Sequence, residues 1–141
     1  MNEIDAVLED LLAATDASRV TLRQDLPGDY DFGVTNEALA PGVSSLRDER
    51  SVDLRTQPVV LELKKGRQVV QDDCRTAFSD PAFHRMLEAY GGLAAQIVTP
   101  VFHDRQLVAI VSLHQLGSPR HWTAQDVAAA SRAAERVGEL L

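Results

Sequence analysis

The sequence predicts an α+β fold in which an antiparallel sheet carries an N-terminal and a C-terminal helix. Three observations point there. Residues 96–102 and 107–113 are apolar runs separated by the polar His103-Asp104-Arg105-Gln106, a hairpin signature. Ile4, Val7, Leu8, Leu11 and Leu12 recur at the spacing of a helix with one buried face. After Gly117-Ser118-Pro119, Thr123 and Asp126 form a capping box and Trp122 is placed to staple onto Val127, opening an amphipathic helix that runs to the last residue.

The elements follow in order. Asn2 caps the first helix. Residues 18–24 alternate, Val20 and Leu22 inward, Thr21 and Arg23 outward, and read as a strand that tolerates an edge. Leu26-Pro27-Gly28-Asp29 makes a turn and residues 30–35 pair back as a second strand, whereas residues 36–57 show no clear period. Residues 58–65 are open between two states. Val59, Val60, Leu61 and Leu63 suit a strand, while Pro58 at the start and Lys64, Lys65 and Gly66 at the end suit a short helix. Residues 68–72 read as a short strand. Asp80-Pro81 and Gly91-Gly92 bracket a helix on which Phe83, Leu87 and Tyr90 share a face.

If the hairpin closes through Asp104-Arg105, Phe102 opposes Leu107 and Val101 opposes Val108. Leu107, Ala109, Val111 and Leu113 then form one wholly apolar face, on which the terminal helices pack. The other face gathers Val108, Ile110, Ser112 and His114 with Ile97, Thr99 and Val101, apolar with a few polar groups, as small-molecule pockets are lined. The alanines 128, 129, 130, 133 and 134 permit close helix packing, against the first helix or its copy in a second subunit.

Composition narrows the function classes. At 141 residues and 45% hydrophobic the chain forms one domain with a real core. A net charge of -7 argues against nucleic acid as a partner, since phosphate neutralisation needs a basic face. No apolar run approaches a membrane span, and the acidic start does not read as a signal peptide, so a cytoplasmic location is expected. A single cysteine, Cys74, excludes an internal disulfide. It follows Asp72-Asp73, whose charges would raise the thiol pKa and blunt a redox role. The histidines 84, 103, 114 and 121 fall on three different predicted elements, His103 in an exposed turn, without metal-ligand spacing.

One resemblance spans the chain, strongest over residues 93–141. Ile97-Val98-Thr99-Pro100-Val101-Phe102, then Asp104, then Leu107-Val108-Ala109-Ile110-Val111-Ser112-Leu113, then residues 120–126 resemble the C-terminal half of a GAF domain. Residues 68–73 resemble a strand of the first half. Ala109 and Arg105 stand where the family usually has glycine; at a positive φ a non-glycine residue costs about 1 kcal/mol. The resemblance implies a helix over 58–65, terminal helices on one sheet face, and a ligand pocket on the other, roofed by residues 68–92. That roof would supply Cys74, Phe78, Phe83, His84, Leu87 and Tyr90 to the pocket beside the sheet residues.

Catalysis is not expected. The family's methionine sulfoxide reductases need an attacking and a resolving cysteine, and only Cys74 is present. Bilin anchoring often uses a cysteine beside a histidine, and here Arg75 follows. No histidine is marked as a haem ligand, so no cofactor is expected. The leading expectation is a sensor of an uncharged or weakly polar small molecule that signals through its terminal helices. The alternative is an interaction module, a homodimer docked through residues 2–16 and 123–141, with its pocket packed shut by Phe78, Phe83 and Tyr90.

Overall fold

The computed structural model describes residues 2–27 and 32–141. The expected turn at Leu26-Pro27-Gly28-Asp29 and the start of the expected second strand therefore lie partly outside the described residues. Among these residues a five-stranded antiparallel sheet forms, in the order β2-β1-β5-β4-β3. Its strands are β1 (Arg19–Gln24), β2 (Gly33–Leu39), β3 (Val69–Gln71), β4 (Leu93–His103) and β5 (Gln106–Leu116).

Helices α1 (Glu3–Thr15) and α5 (Ala124–Leu140) pack on one face. Their caps are those the sequence predicts. Asn2 accepts from the Asp5 N–H at 2.7 Å, and Thr123 and Asp126 exchange the two bonds of the capping box at 3.1 and 3.0 Å. Leu8, Leu11, Ala130, Ala133, Ala134 and Val137 meet Val20, Leu22, Ala109, Val111 and Leu113 in one buried cluster. Small residues set the approach distance: a Cβ added at Gly138 would lie 3.3 Å from Val101 Cγ1.

The opposite face is covered by a 3₁₀ turn (Leu54–Thr56), α2 (Pro58–Lys64), α3 (Cys74–Ala77) and α4 (Pro81–Ala89). Residues 58–65 thus resolve as a helix opened by Pro58, and Asp80 caps α4 through the Ala82 N–H at 2.8 Å. The roof begins earlier than residue 68, because Leu46, Val52, Leu54, Val59, Val60 and Leu63 bury with Phe83, Met86, Leu87, Val98 and Ile110 in a second cluster.

The hairpin differs from its expected register by one residue. Asp104 and Arg105 have φ of 52° and 68°, as a primed two-residue turn requires, and Phe102 opposes Leu107. A bulge follows, so that Val101 opposes Ala109 and Val108 is the extra residue. The β4 partners from Val101 back to Ala95 are displaced by one, so that Ile97 opposes Leu113 and Thr99 opposes Val111, and a second irregularity restores the register at Leu93, opposite Leu116. Because a one-residue slip moves a side chain to the other face, Ile97, Thr99 and Val101 lie on the helix side. Val108 packs there too, and Leu107 joins the roof-side cluster.

Strand β1 is also corrected. It is an interior strand between β2 and β5, and Thr21 and Arg23, expected to face outward, point with Arg19 beneath the roof, at 0%, 4% and 0% exposed respectively.

Candidate functional site

A cavity of about 30 Å3 lies between the sheet and the roof. A water needs about 10–15 Å3 of such space, so the closed form holds one or two small groups. Its apolar wall is Leu54, Val59, Val60, Leu63, Met86, Val98 and Ile110; its polar wall is Arg23, Gln57, Tyr90, Gln96, Ser112 and His114. The sheet members belong to one face through cross-strand pairs: Arg23 opposes Ile110, Val98 opposes Ser112, and Gln96 opposes His114.

The polar wall is anchored by β1. Arg19 donates from Nε to His114 Nδ1 at 3.1 Å, from Nη1 to the Ser44 carbonyl at 3.1 Å, and from Nη2 to the Tyr90 carbonyl at 2.7 Å. Arg23 donates from Nη1 to the Phe32 carbonyl at 2.9 Å and from Nη2 to the Tyr90 hydroxyl at 3.0 Å, and lies over the Tyr90 ring at 5.5 Å. The Tyr90 ring stacks on His114 with centroids 6.1 Å apart. Gln96 donates to Gln71 at 2.9 Å.

Burial sets the electrostatics. Desolvation lowers the Arg19 pKa to about 10, against the opposing pull of Glu37, and the guanidinium remains charged at neutral pH. Burial first, then the charges of Arg19 and Arg23, hold His114 well below its usual value and therefore neutral. An arginine cannot accept a hydrogen bond. Nδ1 of His114 must be the acceptor, which leaves its proton on Nε2. Two buried polar atoms, Thr21 Oγ1 and Gln57 Oε1, have no hydrogen-bond partner among the described residues.

Of the site residues expected from sequence, Tyr90, Ile110, Ser112 and His114 line this cavity. Cys74, Phe83 and Leu87 are buried in the apolar cluster behind it, with Phe78 packed edge-on against Phe83 at 5.1 Å. The Cys74 thiol is raised to about 12, by burial first and Asp73 second. His84 donates from Nε2 to the Phe78 carbonyl, 2.8 Å away, and faces a separate surface cleft with Arg75 and Glu88. Ile97, Thr99 and Val108 lie across the sheet from the cavity. Thr99 accepts from Gln68 at 3.0 Å, and the same amide reaches Ser131 on α5. Missed from sequence were Arg19, Arg23, Gln57, Gln96 and the α2 leucine and valines. The Arg-x-Thr-x-Arg alternation of β1 was the available signal, of which Thr21 and Arg23 were read as facing outward.

A second polar cluster joins roof to helices. The Asp72 carbonyl accepts from the Arg120 N–H at 3.0 Å, and Gln71 from Trp122 Nε1 at 3.0 Å. The Arg120 guanidinium lies 4.5 Å over the Trp122 ring. It donates to the Thr15 carbonyl at 2.5 Å and Gln115 at 3.1 Å, and pairs with Asp126 at 3.5 Å.

The GAF domain family model matches residues 3–141. No curated protein matches the sequence. Solved structures share the fold. GAF3 of Slr1393 from Synechocystis sp. PCC6803 is 22% identical with a TM-score of 0.75, covering 96% of this chain and 88% of that one. The chromophore-binding domain of the bacteriophytochrome RpBphP3 from R. palustris is 14% identical with a TM-score of 0.75, over 97% of this chain and 52% of that one. A far-red absorbing dark state, JSC1_58120g3 with bound biliverdin IXa, is 18% identical with a TM-score of 0.77, over 99% and 89%.

Proposed function

We propose, from the premise that this chain belongs to the GAF domain family, that it is a small-molecule sensor whose ligand enters between sheet and roof and whose output leaves through α1 and α5. The observation that carries the reading is the walled cavity beneath α2, with buried polar groups converging on one side of it and aliphatic side chains on the other. The neighbour with bound biliverdin gives a precedent for a ligand on this fold. In this chain 30 Å3 is far too little for a tetrapyrrole, and the deeply buried, high-pKa Cys74 is a poor covalent anchor.

The route to the output runs through Arg120. A ligand that orders the roof shifts β3, whose end residues bond to Arg120 and Trp122, and Arg120 holds the last carbonyl of α1 and the first turn of α5. The ligand biases helix packing only by its differential affinity for the two arrangements. A second copy docked on α1 and α5 would receive that change. No reaction is assigned to the site.

The small cavity favours a second reading, an interaction module whose pocket is closed and whose terminal helices dock a partner. Native and denatured masses of the purified protein separate the two. A non-covalent mass released on denaturation supports the sensor, and a ligand-free dimer supports the module. Ile110→Asp, which places a charge in the cavity wall, should abolish binding, and unchanged affinity would remove the pocket assignment.

A further inference from the structure

The polar wall carries one cation, Arg23, with Arg19 behind it on the same strand, beside an unpartnered acceptor, Gln57 Oε1, and among the described residues neither arginine has a matching anion. Arg19 and Arg23 are buried on one strand, and each is held by neutral acceptors: carbonyls, an imidazole nitrogen and a phenol. Among the described residues neither guanidinium reaches a carboxylate within 4 Å. Glu37, the acid felt by Arg19, is engaged by the Ser45 hydroxyl, the Leu46 N–H and Arg47. Glu49, which feels Arg23, is half-buried and held by Ser51.

A buried charge held only by dipoles is costly, and an anion that pairs with it in good geometry offsets part of that cost. Arg23 lines the cavity and gives two of an arginine's five donors to the described residues. The Nε2 proton of His114 and the Ser112 hydroxyl add donors on the same wall, and Thr21, its hydroxyl without a partner, sits between the two arginines. The opposite wall is aliphatic.

We propose that the ligand of this cavity is a short-chain aliphatic carboxylate, its carboxylate held by Arg23 with Ser112 and His114 Nε2–H and its tail against Leu63 and Ile110. The inference rests on the small-molecule reading above and revises the expected uncharged ligand to an anionic one. The volume favours a compact head and a short tail, since the cavity accepts only a few atoms before α2 must move. A planar carboxylate matches the fork of a guanidinium, and the small volume favours its three heavy atoms over the five of a phosphate.

The test is calorimetric titration of the full chain with propionate, with its neutral isostere propionamide, and with inorganic phosphate. Propionate is expected to bind one per chain, and propionamide about tenfold to a hundredfold more weakly, the loss expected when a charged hydrogen-bond partner is replaced by a neutral one. Arg23→Gln is expected to erase that preference, and Arg23→Lys to retain part of it. Should Arg23→Gln fail to fold, the comparison of ligands on the unaltered protein still decides. Equal affinity for propionate and propionamide would overturn the anionic assignment and leave the sensor reading standing. Tighter binding of phosphate would overturn the carboxylate class. No binding of any of the three, with a different mass retained in the native protein, would overturn this ligand and keep the sensor; no binding and no retained mass would overturn both.

Discussion

Leu63 and Leu61 sit two residues apart on α2 and should respond oppositely to truncation. Leu63 is fully buried and lines the cavity, whereas Leu61 is 47% exposed on the outer side of the helix. Leu→Ala at a packed site costs about 2.7–5.0 kcal/mol, the lost transfer energy plus a term for the void left behind. At Leu63 the new void merges with an existing one beside Arg23 and Gln57, where water finds polar partners, which places the cost near the lower end, about 3 kcal/mol. For a chain of 141 residues the entropy of unfolding is roughly 0.3 kcal/mol/K, so Tm should fall by about 10 °C. Leu61→Ala should stay within about 0.5 kcal/mol. Urea denaturation of both variants checks the pair. A Leu63→Ala loss below about 1 kcal/mol, or equal losses at both positions, would refute the seating of α2 on the sheet.

Three further outcomes are expected. Arg105 holds φ of 68° in the hairpin turn, so Arg105→Gly should stabilise by about 1 kcal/mol, read as a higher urea midpoint; a destabilisation would mean its side chain matters more than its strain. His114 has a folded pKa below its unfolded one, so the unfolded chain binds the extra proton, and stability present above about pH 6.5 is lost as pH falls. The slope approaches about 1.4 kcal/mol per pH unit below that point, and His114→Gln should flatten it; an unchanged profile between pH 6.5 and 5.5, a window set by the same reference pKa, would place the proton uptake elsewhere. Cys74, buried and raised to about 12, should resist iodoacetamide at pH 8 in the folded chain and react on unfolding; rapid native labelling would contradict its packing.

The parts legible in the sequence are those fixed by local chemistry. Asn2, Thr123, Asp126 and Asp80 announce helix starts because a cap satisfies its own N–H groups within one turn, and all four bond as expected. The bulge was not legible, because Leu107 and Val108 are both apolar and either face would accept either residue; a single inserted position then carried Ile97 and Thr99 away from the cavity. Arg23 was misassigned to the outer side, and Arg19 went unread, for a different reason. Alternation sorts a strand into two faces but does not say what covers each one, and their cover comes in part from residues 44–63, remote in sequence and without periodicity up to residue 57. Tyr90 and His114 were named in the site, while the hydrogen bonds to the arginines that orient them required the fold.

The central claim, a ligand seated between sheet and roof, is tested most directly by amide hydrogen exchange of the full chain with and without propionate. Slower exchange confined to residues 54–63 and 86–90, with a smaller change at the start of α5, is the expected result. Unchanged roof exchange at saturating propionate, or protection confined to α1 and the outer face of α5, would contradict it.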